Sequence, residues 1–263
     1  MDPLSLIMVC VTFGGVVATM ILDGVHLSAL VQPAALMLIF VGTFGAASTG
    51  LAKSDMPLVG KAFKRAFMST VPDASDLVDV IVKMADRARR EGLLALEDMA
   101  KDVTDPLLKE GIQMTVDGSD ADEIAEILEM RITAKKEEDK VGIGFFDAQG
   151  GYAPTLGVVG AIIGLIHALG NLSEVDKLGG MIGAAFVATL WGVLIGNAMW
   201  LPVGTKLKRL SQLEVKNMEM VMEGVLAVQA GTSPRMVEQK LRSSLPNNGK
   251  GAKDGKAKEA KAA

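Results

Sequence analysis

Four stretches of this chain contain no Asp, Glu, Lys or Arg: Leu4 to Leu22, Pro33 to Ala52, Tyr152 to Leu169 and Leu178 to Val203, of 19, 20, 18 and 26 residues. A helix needs about 20 apolar residues to cross the hydrocarbon core of a bilayer. A surface helix of a soluble domain keeps a charged face over that length. The runs therefore predict an all-α membrane protein with four transmembrane helices. Bulk composition alone would not do so, because 49% hydrophobic residues is ordinary for a globular chain. What is unusual is that all 27 Lys and Arg and all 31 Asp and Glu fall outside the four runs. The start Met1-Asp2 lacks the cationic region of a signal peptide, so the first run is expected to be retained.

The basic residues predict the orientation. Fourteen lie between Lys53 and Gly151, twelve lie from Gly204 onward, and Lys177 stands by itself between the third and fourth runs. Basic residues accumulate in cytoplasmic loops. The long central segment, the tail and both termini are then cytoplasmic. The expected divisions are residues 1–52 for spans one and two, 53–151 for a cytoplasmic helical domain, and 152–203 for spans three and four. Residues 204–246 form a cytoplasmic C-terminal helical extension, and 247–263, rich in Lys, Ala and Gly, a disordered tail.

Inside the cytoplasmic segment the apolar residues recur at helical spacing. Leu77, Val78, Ile81, Met84, Ala85 and Ala88 form one face, with Asp73 or Ser75 as the cap, and Gly92 interrupts the pattern. Leu93, Leu96, Met99, Ala100 and Val103 come next, then an Asp105-Pro106 cap pair, then Ile124, Ile127, Leu128 and Ile132. Strand signals are absent. The stretch from Arg87 to Asp98 sets a basic cluster ahead of an acidic pair. It reads either as a solvated face with weak ion pairs or as a bipolar surface for a partner of complementary charge.

The spans are short of reactive groups. Their polar side chains are mainly hydroxyls (Thr12, Thr19, Thr43, Ser48, Thr49, Thr155, Thr189), with His167 and Asn197. An ion relay ordinarily needs an intramembrane carboxylate, so this chain can line such a path while a second chain supplies the acid. One cysteine, Cys10, allows neither an intrachain disulfide nor a cysteine metal site, and no nucleophile has a base partner. No cofactor and no enzymatic activity are expected. The net charge of −4 argues against nucleic acid as a partner. Small residues repeat every four positions at Gly42, Ala46 and Gly50, at Gly160 and Gly164, and at Gly192 and Gly196. Such stripes let helices approach closely in lipid, either within one chain or between subunits. Pro154 and Pro202 fall near the cytoplasmic interface. They are a first-turn proline and a helix stop if the spans end there, and interior kinks if the helices continue.

The stretch Tyr152-Ala153-Pro154-Thr155-Leu156-Gly157-Val158-Val159-Gly160-Ala161-Ile162-Ile163-Gly164-Leu165-Ile166 resembles the third span of the flagellar motor stator family, the MotA/PomA type. Ala185 to Asn197, ending at Pro202, resembles that family's fourth span, and Arg89 to Glu97 its rotor-contacting segment. The proline-glycine signature is shared with the wider MotA/TolQ/ExbB group. The resemblance implies an ion-conducting stator subunit of the bacterial inner membrane that couples ion flow to torque. It implies five copies around two copies of a MotB-type, single-span partner bearing the aspartate, and a cytoplasmic domain acting on the rotor protein FliG. Pro154 and Pro202 would couple ion binding to movement, Thr189 would line the path, and Arg89, Arg90, Glu97 and Asp98 would face the rotor. Sodium-using relatives are similar to one another in a hydroxyl residue where this chain has Ala161, which favours protons over sodium. The alternatives are an ExbB/TolQ-like energiser of an outer-membrane system, expected to have three spans, and a non-conducting tetraspan scaffold.

Overall fold

In a computed structural model of the chain, the described residues are 3–68 and 74–244, with side chains described from Ile7 onward. Asp73 and the expected tail at 247–263 lie outside them. Ten α-helices are present among the described residues, and no strand is. They are α1 (Pro3–Leu22), α2 (Pro33–Ser48), α3 (Met56–Met68), α4 (Ala74–Glu91), α5 (Leu96–Asp102), α6 (Pro106–Asp117), α7 (Ala121–Gly170), α8 (Val175–Ile195), α9 (Leu201–Gln229) and α10 (Pro234–Ser244). A π-helical segment, Gly196–Trp200, joins α8 to α9.

Among the described residues, two helical runs are long and apolar enough to cross a membrane: Ala121–Gly170 and the run Val175–Gln229 formed by α8, the π segment and α9. Pro33–Ser48 and Lys53–Met68 qualify as a pair bent by 117°. At ~1.5 Å per residue the 16 residues of α2 rise only about 24 Å. The apolar stretch Ile7–Leu22 of α1 is similarly short.

The chain divides into two compact units. One comprises residues 1–70 and 136–212, the other 71–135 and 213–263. The core of the first is built from Ile39, Ala47, Val59, Phe145, Phe146, Ile195, Trp200 and Leu207. Its aromatic rings meet edge-on and tilted: Phe145 and Phe146 have centroids 5.4 Å apart at 80°, and Phe146 and Trp200 are 5.8 Å apart. Arg65 on α3 forms a largely buried salt bridge with Asp139 on α7. Removing one member would leave the other charge undercompensated in a site of low polarity. Trp191 on α8 donates to the Leu30 carbonyl at 2.9 Å, tying the short turn Leu27–Leu30 to that helix.

The second unit has a core of branched side chains. Val78, Ile81 and Met84 of α4, Leu96 of α5, Leu108 and Ile112 of α6, Ile124 and Leu128 of α7, Val221 and Val225 of α9 and Leu241 of α10 are fully or almost fully buried. The α4 and α5 faces follow the predicted spacing. Ser75 lies within the first turn of α4, while Asp105 caps α6 by accepting from the Leu108 amide at 2.8 Å. Gly118 ends α6 in the left-handed region at φ 86°. The Ser119 amide reaches back to the Met114 carbonyl there, satisfying a terminal acceptor that would otherwise be orphaned.

Candidate functional site

Pro154 stands in the interior of α7. Pro202 is the second residue of α9 in an unbroken helical run, so it is not a stop. Each removes an N–H from a continuous ladder. At Pro202 the ladder adapts by widening: the π-helical turn immediately precedes it, and the Leu201 amide bonds to the Gly196 carbonyl. π-Bulges of this kind are frequent at functional sites.

The two helices cross where their glycines coincide. A Cβ on Gly192 would stand 2.5 Å from the Ala153 carbonyl oxygen and 2.8 Å from the Gly157 Cα. One on Gly164 would stand 2.7 Å from the Ala185 Cβ, and one on Gly160 2.8 Å from the Ala188 Cβ. The stripes of spans three and four therefore pack against each other within one chain. Gly42 meets Leu156, with a Cβ placed 3.1 Å from its Cδ1, whereas a Cβ on Gly50 would meet nothing within 4 Å. A Cβ on Gly196 would lie 3.1 Å from the Pro154 Cδ, and one on Gly150 3.2 Å from the Leu201 nitrogen. The two prolines are thus offset by about one and a half helical turns, ~8 Å along the axis.

Thr189 sits on this crossing, half-buried. Its Oγ1 donates to the Gly157 carbonyl of the other helix at 3.3 Å. Thr12, Thr19, Thr43, Thr49 and Thr155 instead donate one turn back on their own helices. Such local bonds keep a hydroxyl occupied. At 3.3 Å the Thr189 bond is long for an O–H···O contact, usually ~2.7–2.8 Å, and correspondingly weak. A weakly held hydroxyl and a backbone carbonyl form a pair of oxygens that a proton-carrying water or a small cation can engage. Ala161 lies one turn beyond Gly157 on the same side of α7, since residues four apart are neighbours on a helix surface. It adds a methyl group and no oxygen. Pro154, Ala161 and Thr189 therefore belong to one crossing, with Pro202 about one and a half turns away. The sequence pointed to Gly160 and Gly164 but missed Gly157. The available signal was its position three residues after Pro154 and four before Ala161, in line with the stripe.

A second candidate site lies in the other unit. Arg89 and Arg90 occupy the last turn of α4, and Glu97 and Asp98 the first turn of α5; all four are exposed. Between them Gly92 adopts φ 86°, a conformation that side chains resist, and a 3-10 turn over Leu93–Ala95 comes next. Arg90 pairs with Asp86 at 3.0 Å, Arg87 with Glu91 at 3.1 Å, and Asp98 with Lys101 at 2.9 Å. The hydrogen bond and charge of Lys101 hold the Asp98 carboxyl below its usual range, and Asp98 raises the Lys101 ammonium in return. Periodicity gave Leu94 no role, yet it is 74% exposed while Leu96 is fully buried. Helical spacing puts Leu96 on the buried face and leaves Leu94 off it, as the structure has them. An apolar knob thus stands between a basic and an acidic pair.

Residues 99–220 match the MotA/TolQ/ExbB proton channel family, and residues 6–92 match a motility protein A N-terminal family. The chain is 42% identical to motility protein A of Bacillus subtilis over 247 residues, 94% of this chain and 92% of that protein. The chain belongs to the MotA/TolQ/ExbB family. Within this family it is also 36% identical to the chemotaxis protein PomA of Vibrio alginolyticus, over 72% of this chain and 73% of PomA. Its fold superimposes on the flagellar MotAB stator complex from Bacillus subtilis with a TM-score of 0.88 at 42% identity, covering 96% of this chain and 98% of that one. The C. jejuni MotAB structure matches with a TM-score of 0.90 at 27% identity, covering 94% and 97%.

Proposed function

We propose that this MotA-type chain is the path-lining subunit of a flagellar stator, converting ion flow across the inner membrane into torque. The observation that carries the reading is the Thr189–Gly157 contact, set in a glycine crossing within runs that hold no carboxylate. The missing acid comes from the aspartate of a MotB-type, single-span partner, two copies of which are ringed by five copies of this chain. The four runs at residues 1–52 and 152–203 are the spans, and residues 53–151 with the C-terminal extension are cytoplasmic, as are both termini. The ion is a proton, since Ala161 offers no oxygen to replace a sodium hydration shell. Each unit charge falling through 100 mV releases ~2.3 kcal/mol, which the chain turns into movement at Pro154 and Pro202. Arg89, Arg90, Glu97 and Asp98 meet FliG, and no chemical step is catalysed. The relatives named motility protein A support the flagellar assignment over an ExbB/TolQ-like energiser, because their similarity runs through the N-terminal part of the chain as well.

The test is tethered-cell torque in a strain lacking its own stators. Pro154→Leu is expected to leave the chain in the membrane with its partner but to abolish rotation. Thr189→Ser, keeping the hydroxyl, should retain more torque than Thr189→Ala. Full torque in both Pro154→Leu and Thr189→Ala would refute the assignment of the path.

A further inference from the structure

Two polar groups at the contact between α7 and the π turn are left without their ordinary partners. The first is a donor. Trp200, the last residue of the π turn, is buried, and its indole N–H makes no hydrogen bond among the described residues. A buried indole usually finds an acceptor, and one left without it is costly. The chain's other tryptophan shows the ordinary case, since Trp191 donates to the Leu30 carbonyl at 2.9 Å. The second group is an acceptor. In a regular helix the amide of residue 154 would bond to the Gly150 carbonyl, and Pro154 has no N–H to give. That oxygen is turned toward the π turn: a Cβ on Gly196, its first residue, would stand 2.8 Å from it.

The Trp200 nitrogen is closed off from the surface, so no partner chain, lipid or solvent reaches it unless its own surroundings rearrange. Those surroundings contain a means of doing so. Trp200 packs on Phe146 with ring centroids 5.8 Å apart, and Gly150 stands one turn along the same face of α7, ~6 Å farther on. Hydrogen bonds in the π turn reach five residues back, as the Leu201 amide does to the Gly196 carbonyl. Closing the turn to α spacing rotates Trp200 relative to Gly196 by up to ~100°, the angle of one residue. An unpaired donor and an acceptor without its helical donor in one contact are accounted for when they pair in that second arrangement. We infer that Trp200 is a positioning residue of the coupling region. Its indole N–H is free while the π turn is open, and donates to the Gly150 carbonyl when the turn closes to α. This latch joins the two prolines, because Pro154 frees the acceptor and the turn preceding Pro202 moves the donor. It rests on the proposal above that Pro154 and Pro202 turn ion passage into movement, and it names the bond that the movement makes and breaks.

The test is ultraviolet resonance Raman spectroscopy of the full chain with its single-span partner in lipid nanodiscs, read at the indole band that shifts when the N–H donates. Subtracting the spectrum of Trp200→Phe, which keeps an aromatic ring and removes the donor, isolates the Trp200 contribution. Complexes whose partner carries the aspartate, or asparagine as its uncharged replacement, are compared. The Trp200 band is expected at the free position in one and the donating position in the other, with the Trp191 band unmoved. A free band in both complexes, or a donating band in both, would overturn the proposal. Should Trp200→Phe fail to assemble, Trp191→Phe leaves Trp200 as the one indole of this chain, and the same comparison is made in a partner freed of tryptophan. One hydrogen bond biases two arrangements about fivefold. Trp200→Phe should therefore lose torque at normal membrane level, and full torque would equally overturn the latch. Rotation sustained by the asparagine partner would remove the ion-path reading and the latch with it. A silent indole in a complex that asparagine has stopped would remove the latch alone.

Discussion

The α7–α8 crossing and the α4–α6 core are both helical packing, but they are built from opposite materials. At the crossing, Gly157 and Gly192 bring backbone against backbone, and there is no room for a single added carbon. In the other core, Ile81, Leu96, Leu108 and Ile112 fill the space between helices with large side chains. On the topology proposed above, the difference comes from the solvent. In water, burying a branched side chain is itself favourable, so large residues drive helix association. In lipid, apolar side chains are equally well solvated outside, and helices associate through close fit and small residues. One region is consequently intolerant of additions and the other of deletions.

That contrast is broken most sharply at Gly192. Gly192→Val should prevent α7 and α8 from closing and remove partner assembly and torque together, since its Cβ would strike the Ala153 carbonyl and the Gly157 backbone. Gly183→Ala, where a Cβ meets nothing within 4 Å, should assemble normally by co-purification with the partner. Were the Gly192 variant to assemble like wild type, the crossing would be looser than these distances imply.

Deletion in the other core is expected to cost less of the assembly and more of the fold of that unit. Leu96→Ala removes a fully buried side chain, with a destabilisation of ~2–5 kcal/mol for such truncations. Limited proteolysis should then cut α4–α6 early while the chain remains in the membrane with its partner. Protection equal to wild type would contradict the packing account of that unit.

Smaller effects are expected at the charged turn, to which a partner contact is assigned above and which contributes little to folding. Arg90→Ala and Glu97→Ala should each reduce swimming without changing membrane level. Leu94→Ser should add to either defect, because an apolar side chain 74% exposed gains by being covered. Swimming equal to wild type in Leu94→Ser would remove the knob from the interface.

The smallest is a titration. Asp98 is held below its usual carboxylate range by Lys101. A carboxyl depressed in the folded state adds stability above its unfolded value and loses it as pH falls through the folded value. Both groups are fully exposed, so the effect is confined to acidic pH and screened by salt. Lys101→Ala should move the Asp98 carboxyl resonance upward toward the ordinary range in a carbon-detected NMR titration. An unmoved midpoint would show that the pair does not persist in solution.

The same contrast explains how much of the structure was legible in the sequence. The α4 face at Val78, Ile81, Met84 and Ala85 could be read because polar residues between them mark the helical period. The Asp105-Pro106 start was equally plain, being a cap with its own chemistry. In the uncharged runs no charged residue marks a face. Thr189 and Pro154 stood out by residue type and by the family resemblance, but Gly157 did not. Whether the glycine stripes met within the chain was undecidable from spacing, since a stripe specifies closeness and not the partner. The ends of the helices were obscured for a related reason. α7 runs on from the charged segment into the apolar one, and a change of solvent leaves no break in the backbone. Spacing left Leu94 off the apolar face but gave no sign that it would stand exposed between two charged pairs.

The central claim is that this chain provides the wall of an ion path and another chain provides its acid. It is tested most directly by proton uptake into vesicles holding the chain with its single-span partner, under an imposed potential. The account predicts uptake by the pair that is lost when the partner aspartate is changed to asparagine, is reduced by Thr189→Ala, and is absent for this chain by itself. Uptake by the chain without its partner, or uptake indifferent to the partner aspartate, would contradict it.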